Sequence, residues 1–235
     1  MLSTEGLSHF YAKRSVLQLD RLELQPGSVT AVVGPNGSGK STLLRILACV
    51  EEPSRGRLTW QGRPIHTGAD RRAARRSITL VEQHPLLFRG TARENLVHAL
   101  SLHGVRGAEA ERRSAEAIDR LGIGELAGRE ARGLSEGETQ KVAIARALAL
   151  QPAVLLLDEP ASAADPRSAL RLYQVFEDER LKGTAICFAS HQVEDAYRWA
   201  SRLLALTEGR ASTVTPEIHF RTVIPETGAG PCVVR

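Results

Sequence analysis

Residues 34–41 read GPNGSGKS, between the apolar run Val29–Val33 and the segment LLRILACV at 43–50. Strand, glycine-rich turn and helix, in that order, form a phosphate cradle. Gly34, Gly37 and Gly39 let the backbone turn sharply and aim its N–H groups at phosphate oxygens beside a helix N-terminus. Lys40 then reaches the β- and γ-phosphates, and the Ser41 hydroxyl can sit on Mg²⁺. Pro35, Asn36, Ser38 and Thr42 complete the nucleotide-binding stretch. The motif decides the fold class: α/β, a P-loop NTPase core with a parallel sheet.

Two more apolar runs, Val154–Leu157 and Ala185–Phe188, read as buried strands, each leading into a helical pattern. Such runs separated by helices belong to a parallel sheet covered on both faces, with the ligand beyond the strand ends. Leu2–His9, Val16–Leu19, Leu22–Leu24 and Leu58–Trp60 add strands that form an N-terminal antiparallel layer. From about 85 to 150 helical patterns replace strands, notably Ala108–Leu121 and Ser135–Leu150, so this region is expected to be an inserted helical subdomain. The expected division is one main domain at 1–215, with the helical region inserted in it, and a Pro/Gly-rich C-terminal tail at 216–235.

With 235 residues, 42% hydrophobic and 25% charged, the chain can bury a full core. Its net charge of +4 includes a cluster at Arg71, Arg72, Arg75 and Arg76. That spacing fits either a solvated helix face or a nucleic-acid patch, and the absence of interleaved aromatics favours the former, so no nucleic-acid partner is expected. Cys49, Cys187 and Cys232 fit neither a disulfide framework nor a zinc site; the first two sit in apolar runs and are expected to pack as small hydrophobes. No apolar stretch reaches the roughly 18 residues of a membrane span, and the first residues lack a signal-peptide pattern. A reduced, cytosolic protein is expected, reaching a membrane only through a partner.

VLLLDEP at 154–160 carries the second half of the phosphate chemistry. A strand would deliver Asp158 to the Mg²⁺ shell beside the P-loop, leaving Glu159 to orient an attacking water and relieve it of a proton.

With LSEGE at 134–138, these motifs resemble the ATP-binding cassette (ABC) ATPases over nearly the whole chain. LSEGE is similar to the family's LSGGQ signature, stands at the family's spacing before Asp158, and opens the helical TQKVAIARALAL. The resemblance implies further roles. Tyr11 would stack on adenine, with Phe10 an adjacent competitor; such stacking contributes about 1–3 kcal/mol. Gln83, in LVEQHPLLF, would contact Mg²⁺ and the attacking water; His191, in FASHQVEDA, would touch the γ-phosphate. Ser162–Asp165 is similar to the D-loop that crosses to a second subunit.

Within the family, the signature of one subunit closes over ATP held by the other, so Ser135 and Gly137 would face a partner's nucleotide. The resemblance therefore implies ATP, Mg²⁺ and a head-to-tail dimer of two copies. Two positions depart from the pattern: Glu136 replaces the usual glycine and Glu138 the usual glutamine. A carboxylate turned toward a triphosphate would repel it, since like charges about 4 Å apart cost about 4 kcal/mol at an effective dielectric of 20. Both acids are therefore expected to point away, or closure over ATP is weakened.

A single cassette with no span is similar to the motor subunit of a membrane importer. It would be peripheral on the inner face of the cell membrane through a transmembrane permease that works with a substrate-binding protein. HPLLFRGTARENL resembles the permease-docking surface, although Leu86, Leu87 and Phe88 could equally pack inward. Similarity points to oxyanion importers of the tungstate or molybdate type, with amino-acid importers next. Soluble ABC ATPases of translation or DNA repair are the rival class, but the interval from Ser41 to Ser135 is too short for their long coiled coil. A P-loop kinase would leave LSEGE and His191 unexplained.

Overall fold

The computed structural model describes residues 1–214; the expected tail and Cys232 lie outside the described residues. Ten strands, β1 (Leu2–Tyr11), β2 (Arg14–Leu24), β3 (Val29–Val33), β4 (Arg55–Trp60), β5 (Arg63–Ile65), β6 (Ile78–Val81), β7 (Val154–Asp158), β8 (Ala185–Ser190), β9 (Arg202–Thr207) and β10 (Arg210–Val214), join in one sheet. Its order is β5-β4-β1-β2-β10-β9-β3-β8-β7-β6. The helices are α1 (Lys40–Leu47), α2 (Gly68–Ala74), α3 (Ala92–Leu102), α4 (Gly107–Leu121), α5 (Glu136–Ala149), α6 (Pro166–Leu181) and α7 (Val193–Trp199).

The three apolar runs form the parallel centre of the sheet, buried on both faces. Val29, Ala31 and Val33 of β3, with Leu155, Leu157, Ile186 and Phe188, pack into the core that includes α3, α4 and α5. The alternate residues Val32, Leu156 and Cys187 pack against Leu43, Leu44, Ile46 and Leu47 of α1 on the other face. This period of two explains why the runs read as continuous apolar sequence. Cys49 and Cys187 are both buried, and complete burial pushes the Cys187 thiol up to about 12.

Several elements differ from the sequence expectation. Val16–Leu19 and Leu22–Leu24 lie on one strand, β2, paired antiparallel to β1 from Leu2↔Leu24 to Tyr11↔Arg14. The antiparallel strands continue the same hydrogen-bonded sheet, because Arg210 of β10 pairs with Gln18 of β2. Strands β9 and β10 make that junction, and no reading of the sequence picked them out: RLLALT is too short for its apolar pattern to distinguish strand from helix. Helix α1 stops at Leu47, short of the end of LLRILACV, and Cys49 takes a left-handed φ of 57°.

The helical expectation between 85 and 150 is met by α3, α4 and α5, with Ser135 as the N-cap and Leu150 as the C-cap of α5. The arginine cluster lies on and just beyond α2, opened by a Thr67–Asp70 capping box. Arg71 pairs with Glu52 at 2.9 Å and Arg75 donates to the Cys49 carbonyl at 3.1 Å, tying this helix to the loop after α1. Among the described residues no helix is long and apolar enough to cross a membrane.

Candidate functional site

Register brings the predicted residues together. Val33 of β3 pairs with Ser190 of β8, Asp158 of β7 with Ala189, and Val81 of β6 with Leu157. The C-terminal ends of four adjacent parallel strands therefore carry, side by side, Gly34, His191, Asp158 with Glu159, and Gln83. A ligand belongs at this edge of an open α/β sheet.

The P-loop is walled in by its own sheet. A Cβ on Gly34 (φ 156°) would stand 2.1 Å from the Leu206 carbonyl oxygen, and one on Gly39 (φ 103°) 2.4 Å from that of Val16. Both positions are closed to any larger residue by β9 and β2, strands far away in sequence. Gly39 also serves as N-cap of α1 and supplies no side-chain hydrogen bond, and no acid stands in the first turn. By contrast, α2, α3 and α5 have capping boxes and α6 is capped by Asp165. The first N–H groups of α1 are thus left for a ligand, and an anion is what such a helix end attracts.

Lys40 is buried and curls back over the loop, its Nζ donating to the carbonyls of Gly34 (2.8 Å) and Pro35 (3.2 Å). Its ammonium also lies 3.8 Å from Glu159 Oε1. The other carboxylate oxygen, Oε2, shares a 2.8 Å hydrogen bond with His191 Nδ1. Glu159 itself is buried, has a left-handed φ of 49°, and donates its N–H to the Ala189 carbonyl at 3.1 Å. A non-glycine residue in that region is strained, and such strain clusters where a side chain must be aimed. The Glu159 carbonyl in turn accepts from the Ser162 N–H (3.2 Å) and hydroxyl (3.0 Å), so the D-loop-like turn is anchored on this residue.

Asp158 is 6% exposed and its Oδ1 has no hydrogen-bond partner. Burial pushes its carboxyl above the usual carboxylate range, opposed by a hydrogen bond from the Ser41 hydroxyl. A buried, half-satisfied carboxylate against a serine hydroxyl suits a hard oxygen-seeking cation such as Mg²⁺, which takes few protein ligands and keeps phosphate and water oxygens. Among the described residues no cluster of three or more His, Cys, Asp or Glu competes for a metal.

An acid whose folded value is raised costs stability as pH climbs from its unfolded to its folded value, and the full cost persists above. Asp158→Asn removes that cost. The variant is expected to melt at a higher temperature than the parent at neutral pH without Mg²⁺, yet to lose the extra stabilisation that Mg²⁺ adds to ATP. Thermal melts with and without Mg²⁺ check both signs.

The remaining predicted residues are placed as follows. Tyr11, at the end of β1, is exposed; its hydroxyl donates to Glu51 Oε2 at 3.0 Å and its ring meets His9 edge-on. Gln83 is exposed in the turn after β6 and makes no hydrogen bond among the described residues. Ser135 caps α5, with Glu138 Oε2 accepting from the Ser135 N–H at 2.8 Å and Arg129 bonding the Glu138 Oε1 at 2.6 Å. These bonds hold the Glu138 carboxyl below its usual range. The change from glutamine to Glu138 thus keeps a capping box, which accepts either residue. Gly137 packs on the D-loop-like turn: a Cβ there would stand 2.9 Å from the Ala163 oxygen. No hydrogen bond or ion pair among the described residues joins Ser135 or Gly137 to the P-loop of the same chain.

Sequence reading overlooked Glu51, Arg129 and His84, which pair with Tyr11, Glu138 and Glu136. Glu51 and Arg129 sit in no motif and His84 carries no role in the segment HPLLFRGTARENL that it opens, so only tertiary contact identifies them.

The sequence of residues 17–162 matches the family described as ABC transporter. The chain is 35% identical to the phosphate import ATP-binding protein PstB 2 of Natronomonas pharaonis, over 92% of this chain and 80% of that one. It is 34% identical to the tungstate uptake system ATP-binding protein TupC of Peptoclostridium acidaminophilum, over 89% and 95%. To the glutamine transport ATP-binding protein GlnQ of Escherichia coli it is 35% identical over 94% of each. Among solved structures, the dimeric post-hydrolysis state of the ATP-binding cassette MJ0796 bound to ADP and Pi superposes with a TM-score of 0.85 at 26% identity, covering 93% of this chain and 100% of that one.

Proposed function

This chain belongs to the ABC transporter family, and on that premise we propose that two copies of it form the motor of a membrane importer. The chain is an ATP-binding ATPase. The α1 N-terminus and Lys40 hold the phosphates, Tyr11 stacks on the base, and Ser41, Asp158 and Gln83 hold Mg²⁺, which supplies charge neutralisation on the phosphates when bound. Glu159, aimed by His191 and Lys40, takes the proton of the attacking water. Ser135 and Gly137 complete the site of a second copy, since one chain carries one P-loop and one signature and does not join them. A two-fold pair satisfies both sites at once, and the dimeric MJ0796 cassette supports that arrangement.

Coupling to a permease rests on one observation. Leu86, Leu87, Phe88, Ala99, Leu102, His103 and Arg146 line an open groove of about 480 Å³ on the helical region. Leu86 is 86% exposed, Leu102 69% and Phe88 49%, so these three do not pack inward, whereas Leu87 is half-buried and packs against the core. The groove is held open by Asn95, which is buried and bonds the Phe88 N–H at 2.7 Å and carbonyl at 3.1 Å. At its floor the Arg146 guanidinium lies 5.7 Å from the Phe88 ring centre. An apolar permease helix offering an acceptor to Arg146 fits this groove, and would hold the chain at the inner face of the membrane. A soluble translation or DNA-repair role has no use for it.

The cargo we favour is an oxyanion, taken up through the permease and its binding protein. The relatives that import phosphate and tungstate support it, whereas the equally similar glutamine relative keeps an amino-acid cargo as the other outcome of the test. Co-purification of the chain with its permease, followed by ligand titration of the companion binding protein, decides the cargo. Leu86→Glu is expected to abolish co-purification while basal ATP turnover stays within about twofold, as for a surface substitution. Retention of the permease by this variant would remove the groove from the interface.

A further inference from the structure

We propose that His84 is a positioning residue that turns Glu136 away from the nucleotide held by the second copy. Glu136 is the first residue of α5, directly after Ser135, where a helix N-terminus favours an acid. It also replaces the small residue expected at the point where the signature closes on a triphosphate. Glu138, two residues on, is retained by its own capping box and by Arg129. Glu136 is retained from another element: its Oε1 lies 3.0 Å from His84 Nδ1. His84 sits in the turn after β6, next to Gln83. One contact thus links that turn to the start of the signature helix and holds the carboxylate against its own chain.

The side chains are 73% and 64% exposed, and a pair so exposed adds little to folding. Its effect is orientation. Without the imidazole, the Glu136 carboxylate is free to turn outward, toward the face that must receive the partner's phosphates. The inference rests on the two-copy reading above, and its test separates the two.

In a Glu159→Gln background, dimer formation is followed by analytical ultracentrifugation over a titration with MgATP. Adding His84→Ala is expected to raise the ATP concentration for half-maximal dimer about three- to fivefold, the size of an exposed charge effect. Adding Glu136→Gln to that variant is expected to return it to the background value, which loss of a merely structural histidine would not allow. ATP binding by the monomer, measured by equilibrium dialysis on the same samples, should be unchanged. No shift with His84→Ala, or a shift that Glu136→Gln leaves in place, overturns the positioning role alone. Failure of the Glu159→Gln background itself to dimerise with MgATP overturns the two-copy reading and this proposal with it.

Discussion

Replacing Glu159 by glutamine is expected to lower ATP turnover by about 10²–10⁴-fold, the loss associated with removing a general base, while ATP still binds and locks two copies together. The geometry explains the split. Glutamine keeps the shape of a side chain that is buried among Lys40, 3.8 Å away, and His191, 2.8 Å away. It loses the ability to accept a proton from water. The P-loop and Asp158 are left intact, so binding survives. Single-turnover hydrolysis together with ATP titration measures both halves. Hydrolysis at a rate near that of the parent would show that another group takes the proton.

Lys40→Ala is expected to weaken ATP binding by roughly 10- to 100-fold, the value of losing charge-assisted hydrogen bonds. The Lys40 ammonium now spends its donors on the Gly34 and Pro35 carbonyls at the mouth of the cradle. A phosphate offers it a better acceptor without moving the helix that carries it. The variant also removes one of the two groups facing the Glu159 carboxylate, so its melting temperature should fall even without nucleotide. Fluorescent-ATP titration and thermal melts check the two effects. Unchanged affinity would mean that the α1 N-terminus alone holds the phosphates.

The sequence was most legible where a function is written in contiguous residues. GPNGSGKS, VLLLDEP and LSEGE each combine local backbone demands with side-chain chemistry, so their spacing identified the family and the parallel core. The legibility declined where partners are distant in the chain. Nothing near Gly34 or Gly39 announces that Leu206 and Val16 press on them. The two glycines read as phosphate-binding features, and their larger constraint is the strands behind them. RLLALT and the segment after it were overlooked for a related reason: a short segment with four apolar residues becomes a strand only because β3 and β10 flank it.

By itself the sequence determined the fold class, the family and the chemical identity of the nucleotide site, because phosphate binding needs a fixed order of glycine, lysine and hydroxyl along a short backbone. Tertiary structure alone decided how the side chains around that site are aimed. It joined the antiparallel strands to the core through β10, set His191 against Glu159, and placed Glu136 beside His84. These pairings depend on strand register and helix packing between residues far apart in the chain. The energy that fixes them comes from burial of the two apolar cores, which no single motif contains.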